Sequence, residues 1–301
     1  MSRPVARNLT QRWVASHLPD RPARSHKGDF GRLLVVAGST EFPGAAMLTA
    51  LGAMRAGAGV VRVAAAESVA ARLAGAIPEL TWIVLDEEAP GLIAPSGWRQ
   101  VAGEVNSQDA VVIGPGLGAQ PATQRRARNL VTGLRIPGVV DADGLNALAS
   151  GGNWWTGLAA SLVLTPHPGE FARLTRAPAP NSDDDDARLV AARDAGLRWQ
   201  QVVVLKGANT LVADPHGDVL RSNVSTPALA TAGTGDLLAG VIGAFLAAGL
   251  APMEAAGCAV AVHGAAGLLA EDRIGRAGVM ARDVAALLPE AIEQLRGGRA
   301  R

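Results

Sequence analysis

The segment TAGTGDLLAG (231–240) combines residue types that bind phosphate and accept a proton. Gly233 and Gly235 leave backbone N–H groups accessible, and the apolar run that follows predicts a helix whose dipole favours an anion at its start. Asp236, in the first turn of that helix, could accept the proton of a hydroxyl group that reacts with the bound phosphate. The alternative is that Asp236 only caps the helix, but the motifs described below favour the catalytic interpretation.

The segment KGANT (206–210) is a second candidate for phosphate contact. The chain contains only two lysines, Lys27 and Lys206, and the second directly follows the strand-like run QVVVL. An ammonium group, backbone amides and the polar side chains of Asn209 and Thr210 therefore meet at a strand end, which suits a polyphosphate. The alternative is a hairpin turn with a surface lysine, and the rarity of lysine in this chain argues against it.

Three further segments place glycine, polar or charged residues directly after an apolar run: GPGLG (114–118), DADG (141–144) and TPHPGE (165–170). GPGLG indicates either a tight turn or the close approach of the backbone to a bulky ligand. His167 lies between two prolines, in a stiff loop that favours contact with a ligand. Polar groups at the carboxyl ends of parallel strands line the crevice where ligands bind, so these loops favour an enzyme over a structural protein.

Several other kinds of site are excluded by their missing patterns. The chain has no GxxxxGK[ST] phosphate loop, no GxGxxG after its first strand, no zinc-ligand spacing and no GxSxG nucleophile motif. The acidic run SDDDD (182–186) could bind a metal, but a solvated helix start with its acidic residues at the positive end of the dipole is the favoured interpretation.

The elements that must position these residues alternate between strand and helix. Apolar runs predict strands beginning at Arg32, Val60, Asp109, Val139, Leu162 and Gln201, and helices follow most of them. The final third reads as helix over 237–251, 253–271 and 281–296. This pattern predicts an α/β fold with a central, mostly parallel sheet covered by helices on both faces, and with a helical C-terminal third.

Composition narrows the class of protein. The net charge of +1 over 301 residues gives no reason to expect nucleic acid or an anionic membrane as a partner. The single cysteine, Cys258, excludes an intramolecular disulfide and fits a reducing compartment. The N-terminus has no continuous apolar signal segment, and the apolar stretch 237–251 is too short to span a membrane comfortably. We therefore expect a cytoplasmic protein that does not associate with membranes.

Taken together, the motifs resemble a known family, the nucleotide-dependent NAD(P)H-hydrate dehydratases of the ribokinase-like superfamily. The motifs that carry the resemblance, in chain order, are SHKGDFG (25–31), FPGAA (42–46), GPGLG, VVDADGLNAL (139–148), LTPHPGEFARL (164–174), LKGANT and AGTGDLLAG. GTGD marks only the superfamily, whereas SHKGDFG, DADGLN and TPHPGE are more specific. The resemblance implies an N-terminal extension (1–24) followed by a single catalytic domain (25–301), in the stand-alone form without an epimerase domain.

The resemblance also implies a reaction. Such enzymes use ADP or ATP with Mg²⁺ to return the 6S hydrate of NADH or NADPH to the intact cofactor, and the bacterial type uses ADP and releases AMP and phosphate. The ring hydroxyl is first phosphorylated and then leaves as phosphate. By this resemblance, Asp236 takes the hydroxyl proton, and the backbone amides of Gly233, Thr234 and Gly235 form an anion hole for the transferred phosphoryl group.

Site residues are carried over where the motifs match. The adenine nucleotide would contact Lys206, Gly207, Ala208, Asn209, Thr210 and Gly235. The hydrate would contact Ala45, Gly116, Gly118, His167 and Asp236. Asp141, Asp143 and Asn146 would support the phosphate or Mg²⁺ region, with loop capping as their alternative role, and no residue is assigned as a direct metal ligand. The family resemblance further implies a homo-oligomer, a tetramer by analogy, that works with a separate NAD(P)H-hydrate epimerase.

Two alternatives remain at this point. A small-molecule kinase of the same superfamily, similar to hydroxyethylthiazole kinase, would share GTGD but release a stable phosphorylated product; TPHPGE and SHKGDFG argue against it. A non-catalytic sensor of adenine nucleotides would need the backbone amides but not the carboxylate of Asp236.

Overall fold

The computed structural model describes residues 5–297, in which short strands alternate with helices. The strands are β1 (Arg7–Asn8), β2 (Arg32–Val36), β3 (Val60–Ala66), β4 (Thr81–Leu85), β5 (Glu87–Ala89), β6 (Leu92–Ile93), β7 (Ala110–Ile113), β8 (Gly138–Val140), β9 (Leu162–Leu164), β10 (Val202–Leu205), β11 (Leu211–Ala213) and β12 (Val219–Arg221). The helices are α1 (Gln11–His17), α2 (Pro43–Arg55), α3 (Glu67–Leu73), α4 (Pro95–Val105), α5 (Pro121–Thr132), α6 (Asp143–Ala149), α7 (Pro168–Thr175), α8 (Asp185–Trp199), α9 (Thr234–Ala247), α10 (Pro252–Ile274) and α11 (Ala281–Leu295).

Ten of the strands form one sheet in the order β1-β12-β11-β10-β9-β8-β7-β2-β3-β4. Neighbouring strands are parallel except where β11 pairs with β10 and β12, and β5 and β6 form a separate small hairpin. The central strands β7 to β10 are completely buried, which explains their uninterrupted apolar sequences. The predicted mostly parallel sheet is therefore confirmed, and β11 and β12 form an antiparallel hairpin after the KGANT segment.

The strand order reverses between β2 and β7. From β2 the chain continues outward through β3 and β4, then returns to β7 on the other side of β2 and continues in the opposite direction through β8, β9 and β10. Right-handed crossovers in opposite directions place their helices on opposite faces of the sheet. The loops that leave the carboxyl ends of β2 and β7 therefore diverge and open a crevice, which is where ligands bind in sheets of this kind.

On one face of the sheet, α2 and α9 pack unusually close together. A Cβ atom at Gly240 would lie 1.9 Å from the backbone oxygen of Thr49, and one at Gly52 would lie 2.4 Å from that of Leu237. Only glycine permits this separation, because any side chain would meet backbone atoms that cannot rotate away. The start of α9, which carries Asp236, is thereby held at a fixed position relative to α2.

The C-terminal third is helical, as the sequence predicts. Helix α10 is long and apolar enough to cross a membrane by length and composition, but 67% of its most apolar window is buried inside the fold. It packs against α9, α11 and α1, so it is a core helix of this domain. Residues 5–24 contribute to the same body, because β1 pairs with β12 and α1 contacts α10 and α11.

The SHKGDFG motif lies at the amino-terminal end of β2, the edge of the sheet opposite the crevice. Its residues 27–30 form a 3₁₀ turn that leads into Gly31 at a φ of +74°. A Cβ atom at Gly31 would lie 1.9 Å from the Ala247 oxygen, and one at Gly59 would lie 1.7 Å from the Lys27 oxygen. The motif thus positions the start of β2 through close backbone contacts, and Lys27 lies far from the loops that carry Lys206 and Asp236.

Candidate active site

The first turn of α9 presents backbone amides beside a carboxylate. Gly233 caps the helix at a φ of +89°, and the helical bonding begins where the Leu237 N–H donates to the Gly233 oxygen at 3.1 Å. The Thr234 hydroxyl donates to the carbonyls of Leu229 and Thr231, both at 2.8 Å, and fixes this turn. The Thr234 amide also faces the Thr231 carbonyl at 3.4 Å. The amides of Gly235 and Asp236 therefore carry most of the potential for binding an anion.

Lys206 lies directly opposite this turn, within a group of carboxylates. Its Nζ donates to Oδ1 of Asp141 at 2.8 Å and lies 3.8 Å from Oε2 of Glu170. Asp141 also accepts a hydrogen bond from the Thr165 hydroxyl at 2.7 Å and is only 1% exposed. A Cβ atom at Gly235 would lie 3.4 Å from Nζ, so Gly235 allows the ammonium group to approach the start of α9.

Burial and mutual repulsion change the protonation of this group. Burial, followed by the charge of Asp141, raises the pKa of Asp236 from 3.8 to about 7. Burial is also the main reason that the pKa of Glu170 rises to about 6. Burial alone would lower the pKa of Lys206, but Asp141 and Glu170 more than compensate and raise it, so the amine stays charged. A carboxylate that titrates near neutral pH suits a general base.

A cavity of about 530 Å³ extends from Lys206 and Gly235 between the β12–α9 connection and α10. Its apolar lining includes Val224, Leu229 and Val260. The lining also includes hydroxyl groups, such as those of Ser222 and Thr226, and Lys206 provides a positive charge at one end. A cavity of this size and mixed lining suits a ligand with a flat, hydrogen-bonding ring system and an anionic tail.

The 206–210 loop at the mouth of this cavity is braced from below by α8. Nη1 of Arg188, a side chain that is 3% exposed, donates to the Ala208 carbonyl at 2.5 Å and to Asp185 at 3.3 Å. The side-chain amide of Asn209 also lies 3.5 Å from Oδ2 of Asp185. The Asn209 backbone adopts a left-handed conformation at a φ of +53°. The acidic run 182–186 therefore begins α8 and supports this loop, and residues 5–297 contain no cluster of three side chains arranged to hold a metal.

Hydrogen bonds between loops close the base of the crevice between β2 and β7. The Gly38 N–H donates to the Pro115 carbonyl at 2.8 Å, and the Gly118 N–H donates to Oδ2 of Asp143 at 2.8 Å. Asn146 donates in turn to Asp143 at 3.3 Å, and Oδ1 of Asn146 accepts from Arg173 at 2.8 Å. Asp143 is near enough to raise the pKa of Asp236, so the crevice and the start of α9 belong to one electrostatic unit.

Gly116 shows how tightly this crevice is built. A Cβ atom there would lie 2.8 Å from the Cβ atoms of both Ala45 and Phe42. The three residues therefore form one packed layer, in which Gly116 has a φ of +64°.

His167 occupies the start of α7, next to this group. Its Nδ1 accepts a hydrogen bond from the Gly169 amide at 3.0 Å, and its own amide donates to Glu170 at 2.8 Å. Burial, and then the charges of Lys206 and Arg173, lower the pKa of the imidazole, so it is neutral at pH 7. Nδ1 is used to cap α7, and Nε2 lies 3.4 Å from Oε1 of Glu170, so a ligand that binds the imidazole would approach Nε2 beside this carboxylate.

All of the predicted site residues lie at the carboxyl ends of strands or at the helix starts that follow them, but sequence reasoning missed three neighbours. Glu170 belongs to the TPHPGE motif, which gives it no role, although it is 5% exposed beside Lys206. The motifs identify neither Arg188 nor His263. His263 is 7% exposed, lines the cavity, has a pKa lowered by burial to about 4, and leaves Nε2 without a partner. An isolated histidine in the otherwise apolar α10 was an available signal for His263, whereas α8 carries two further arginines and nothing in its sequence distinguishes Arg188.

Comparison with known proteins explains this geometry. The family model described as NAD(P)H-hydrate dehydratase matches residues 33–290. The chain belongs to this family. It is 34% identical over 282 residues to the ADP-dependent (S)-NAD(P)H-hydrate dehydratase of Bacillus subtilis, covering 93% of this chain and 95% of that one.

A solved structure and a longer relative agree with this assignment. The crystal structure of the ADP/ATP-dependent NAD(P)H-hydrate dehydratase from Bacillus subtilis, co-crystallised with ATP and Mg²⁺, superposes with a TM-score of 0.83 at 33% identity, covering 98% of this chain and 99% of that one. The bifunctional NAD(P)H-hydrate repair enzyme of Moorella thermoacetica is 40% identical over 289 residues. That match covers 96% of this chain but only 54% of the relative, so the chain spans about half the length of such bifunctional relatives. The predicted family and the predicted ribokinase-like fold are confirmed.

Proposed function

We propose that this protein is an ADP-dependent dehydratase that returns the 6S hydrate of NADH or NADPH to the intact dinucleotide. The observation that carries the proposal is the carboxylate of Asp236, whose pKa is raised to about 7 beside the amides of an exposed helix start. Membership of the family and a full-length relative with this activity in its name support the proposal.

The proposed reaction divides a difficult elimination into two steps. Asp236 accepts the proton of the ring hydroxyl while the hydroxyl oxygen bonds to the terminal phosphorus of ADP. The bond between that phosphorus and the bridging oxygen breaks and releases AMP. The ring nitrogen then donates its lone pair, the carbon–oxygen bond breaks, and phosphate leaves. Loss of the adjacent ring proton restores the dihydropyridine. Phosphorylation matters because hydroxide is a poor leaving group at neutral pH.

Each part of the site has a role in this scheme. The Gly235 and Asp236 amides stabilise the transferred phosphoryl group, and Lys206 neutralises charge on the nucleotide phosphates. Residues 206–210 and the adjoining cavity hold the nucleotide. Ala45, Gly116, Gly118 and His167 would border the hydrate in the crevice. Asp143 and Asn146 maintain the position of Gly118.

Mg²⁺ fits the donor set at the centre of the site. The carboxylates of Asp141, Glu170 and Asp236 surround the single ammonium group of Lys206, which leaves an excess of negative charge and hard oxygen donors. Asp141 is committed to Lys206 and Thr165, and Oε2 of Glu170 accepts the His167 amide. The ion would therefore be held mainly by the nucleotide phosphates, with Oε1 of Glu170 as a single protein ligand. When bound, Mg²⁺ would supply charge neutralisation for phosphoryl transfer.

The remaining sequence predictions extend this proposal. Residues 25–301 act as one catalytic domain, and β1 and α1, within residues 1–24, brace its edge. The enzyme works in the cytoplasm as a homo-oligomer, a tetramer by analogy, and with a separate epimerase activity that supplies the 6S form. ADP is the proposed donor because the full-length relatives are named for it, and ATP remains the comparison to be tested.

The test is the recovery of near-ultraviolet absorbance when enzymatically hydrated NADH is incubated with the protein, Mg²⁺ and either ADP or ATP. We expect absorbance and inorganic phosphate to rise together with the preferred nucleotide, and neither to rise with Asp236→Asn. A phosphorylated product that persists in the phosphorus NMR spectrum would instead indicate a kinase. Nucleotide binding without any turnover would indicate a sensor.

A further inference from the structure

Phe42 is the one aromatic side chain that this protein exposes to solvent. The sequence contains six tryptophans, four phenylalanines and no tyrosine, all within residues 5–297. Phe42 is 52% exposed. The other nine are buried or partly buried, namely Trp13, Phe30, Trp82, Trp98, Trp154, Trp155, Phe171, Trp199 and Phe245. An exposed ring in a chain that otherwise covers its aromatic residues needs a reason.

Its place in the fold supplies the reason. Phe42 ends the loop that leaves the carboxyl end of β2, and Gly116 lies in the loop that leaves the carboxyl end of β7. These two strands are neighbours at the point where the strand order reverses. The residue therefore borders the crevice where sheets of this kind bind their ligands, and its side chain is free to contact one.

The backbone that carries the ring is held rigidly. The Phe42 amide faces the Ser39 hydroxyl at 3.4 Å, and Pro43 begins α2 directly afterwards. On the other side, a Cβ atom at Gly116 would lie 2.8 Å from both the Cβ atom and the carbonyl oxygen of Phe42. The backbone of Phe42 therefore needs no rearrangement when a ligand covers the ring, which limits the entropy cost to the side chain itself.

A chain of contacts connects the ring to the reacting centre. Phe42 packs on Gly116, and two residues further on the Gly118 amide is held by Asp143. The charge of Asp143 contributes to the raised pKa of Asp236. The nucleotide cavity lies on the side of Lys206 and α10, so Phe42 borders the crevice and is not part of the cavity lining.

We propose that Phe42 is a specificity residue that packs its ring against a ring of the hydrated dinucleotide in the crevice between β2 and β7. This inference rests on the proposed dehydratase function and adds a residue that sequence motifs do not assign. The dinucleotide offers two rings, the hydrated nicotinamide and the adenine, and either would present a face to Phe42. The ring contacts the bound hydrate but takes no part in proton or phosphoryl transfer. It therefore contributes to binding of the hydrate and leaves the nucleotide site unchanged.

The experiment compares steady-state kinetics of wild type, Phe42→Ala, Phe42→Leu and Phe42→Trp. For Phe42→Ala we expect the KM for the hydrate to rise about tenfold, while kcat and the KM for ADP stay within about twofold. Phe42→Leu keeps bulk but loses the flat face and should fall between, whereas Phe42→Trp should match wild type. The fluorescence of the product NADH gives a direct binding measurement, and its dissociation constant should rise by the same factor.

A matched control removes an equally exposed apolar side chain elsewhere. Val190→Ala, at a residue that is 42% exposed on α8, should leave every constant unchanged. The hydrate of reduced nicotinamide mononucleotide, which lacks the adenine, identifies the ring. An effect of Phe42→Ala that persists with it assigns the nicotinamide, and an effect that disappears assigns the adenine.

Three outcomes would overturn the inference while leaving the dehydratase function intact. These are an unchanged hydrate KM in Phe42→Ala, an equal rise in the KM for ADP, or a change in oligomeric state without any change in KM. If the wild-type protein shows no nucleotide-dependent dehydration, the proposed function fails, and this inference fails with it.

Discussion

Replacing Asp236 with asparagine should abolish dehydration and at the same time stabilise the folded protein at alkaline pH. The pKa of Asp236 is raised from 3.8 to about 7, mainly by burial and then by the charge of Asp141. The folded protein therefore binds this proton more tightly than the unfolded chain does. The resulting stabilisation is complete below pH 3.8 and is lost as the pH rises through 7. Asparagine keeps the shape of the neutral acid and carries no charge at any pH.

The magnitude follows from the two pKa values. The difference between 3.8 and about 7 corresponds to a cost of up to about 4 kcal/mol for holding the ionised carboxylate in the fold at pH 8. At pH 5 the wild-type protein has already lost part of this stabilisation. The gain in the free energy of unfolding for Asp236→Asn should therefore be larger at pH 8 than at pH 5 by about 2–3 kcal/mol.

The assay is urea unfolding followed by tryptophan fluorescence at the two pH values. Asp272→Asn provides the control, because Asp272 is an exposed aspartate on α10 and its replacement should give no gain that depends on pH. In wild type, kcat/KM should rise with pH to a plateau above about 7, since the base must be deprotonated in the free enzyme. Equal gains for Asp236→Asn at pH 5 and pH 8 would refute the electrostatic reasoning, and residual dehydration by this variant would refute the role as base.

Three further changes test the surroundings of the site. Lys206→Met should abolish turnover and lower the free energy of unfolding in urea by about 3–5 kcal/mol, because Asp141 is 1% exposed and would lose its counter-charge. A variant as stable as the wild type would contradict this. Arg188→Ala should raise the KM for ADP about tenfold without changing that for the hydrate, because the nucleotide loop loses a hydrogen-bond donor; equal changes in both would point to general loosening. Gly240→Ala should lower the free energy of unfolding by about 3 kcal/mol, because its methyl group would lie 1.9 Å from a backbone oxygen of α2. The control Gly152→Ala has nothing within 4 Å of the new methyl group and should be neutral. Similar melting temperatures for the two variants would contradict the close packing of α2 and α9.

The sequence was sufficient to predict the fold class and the central residues of the site because both follow from local patterns. Continuous apolar strands require cover on both faces, and a glycine pair before an apolar helix predicts its exposed amides. Asp236 and Lys206 were therefore identified from their own neighbours along the chain. Their mutual position, with Lys206 within reach of Gly235, depends on the sheet order and could not be derived from either segment alone.

What sequence reasoning missed depends on contacts between distant segments. The reversal of strand order between β2 and β7 determines where the crevice lies, and no periodicity records it. Arg188 is separated by twenty residues from the carbonyl that it supports. SHKGDFG shows the opposite case, because it is specific for the family although its Gly31 is required for packing at the edge of the sheet opposite the crevice.

The balance of charge at the site bears on how the nucleotide must bind. Lys206 is already paired with Asp141 at 2.8 Å, and Glu170 adds a second carboxylate at 3.8 Å, so the single positive charge of Lys206 cannot by itself offset the nucleotide phosphates as well. An unaccompanied nucleotide would therefore meet a net negative site and would raise the pKa of Asp236 further above 7, which would disable the base. A divalent cation that enters with the nucleotide offsets both effects at once. For this reason the apparent pKa obtained from the pH profile of kcat should lie at or below the apparent pKa obtained from the pH profile of kcat/KM. The reverse order would show that phosphate charge remains uncompensated in the complex.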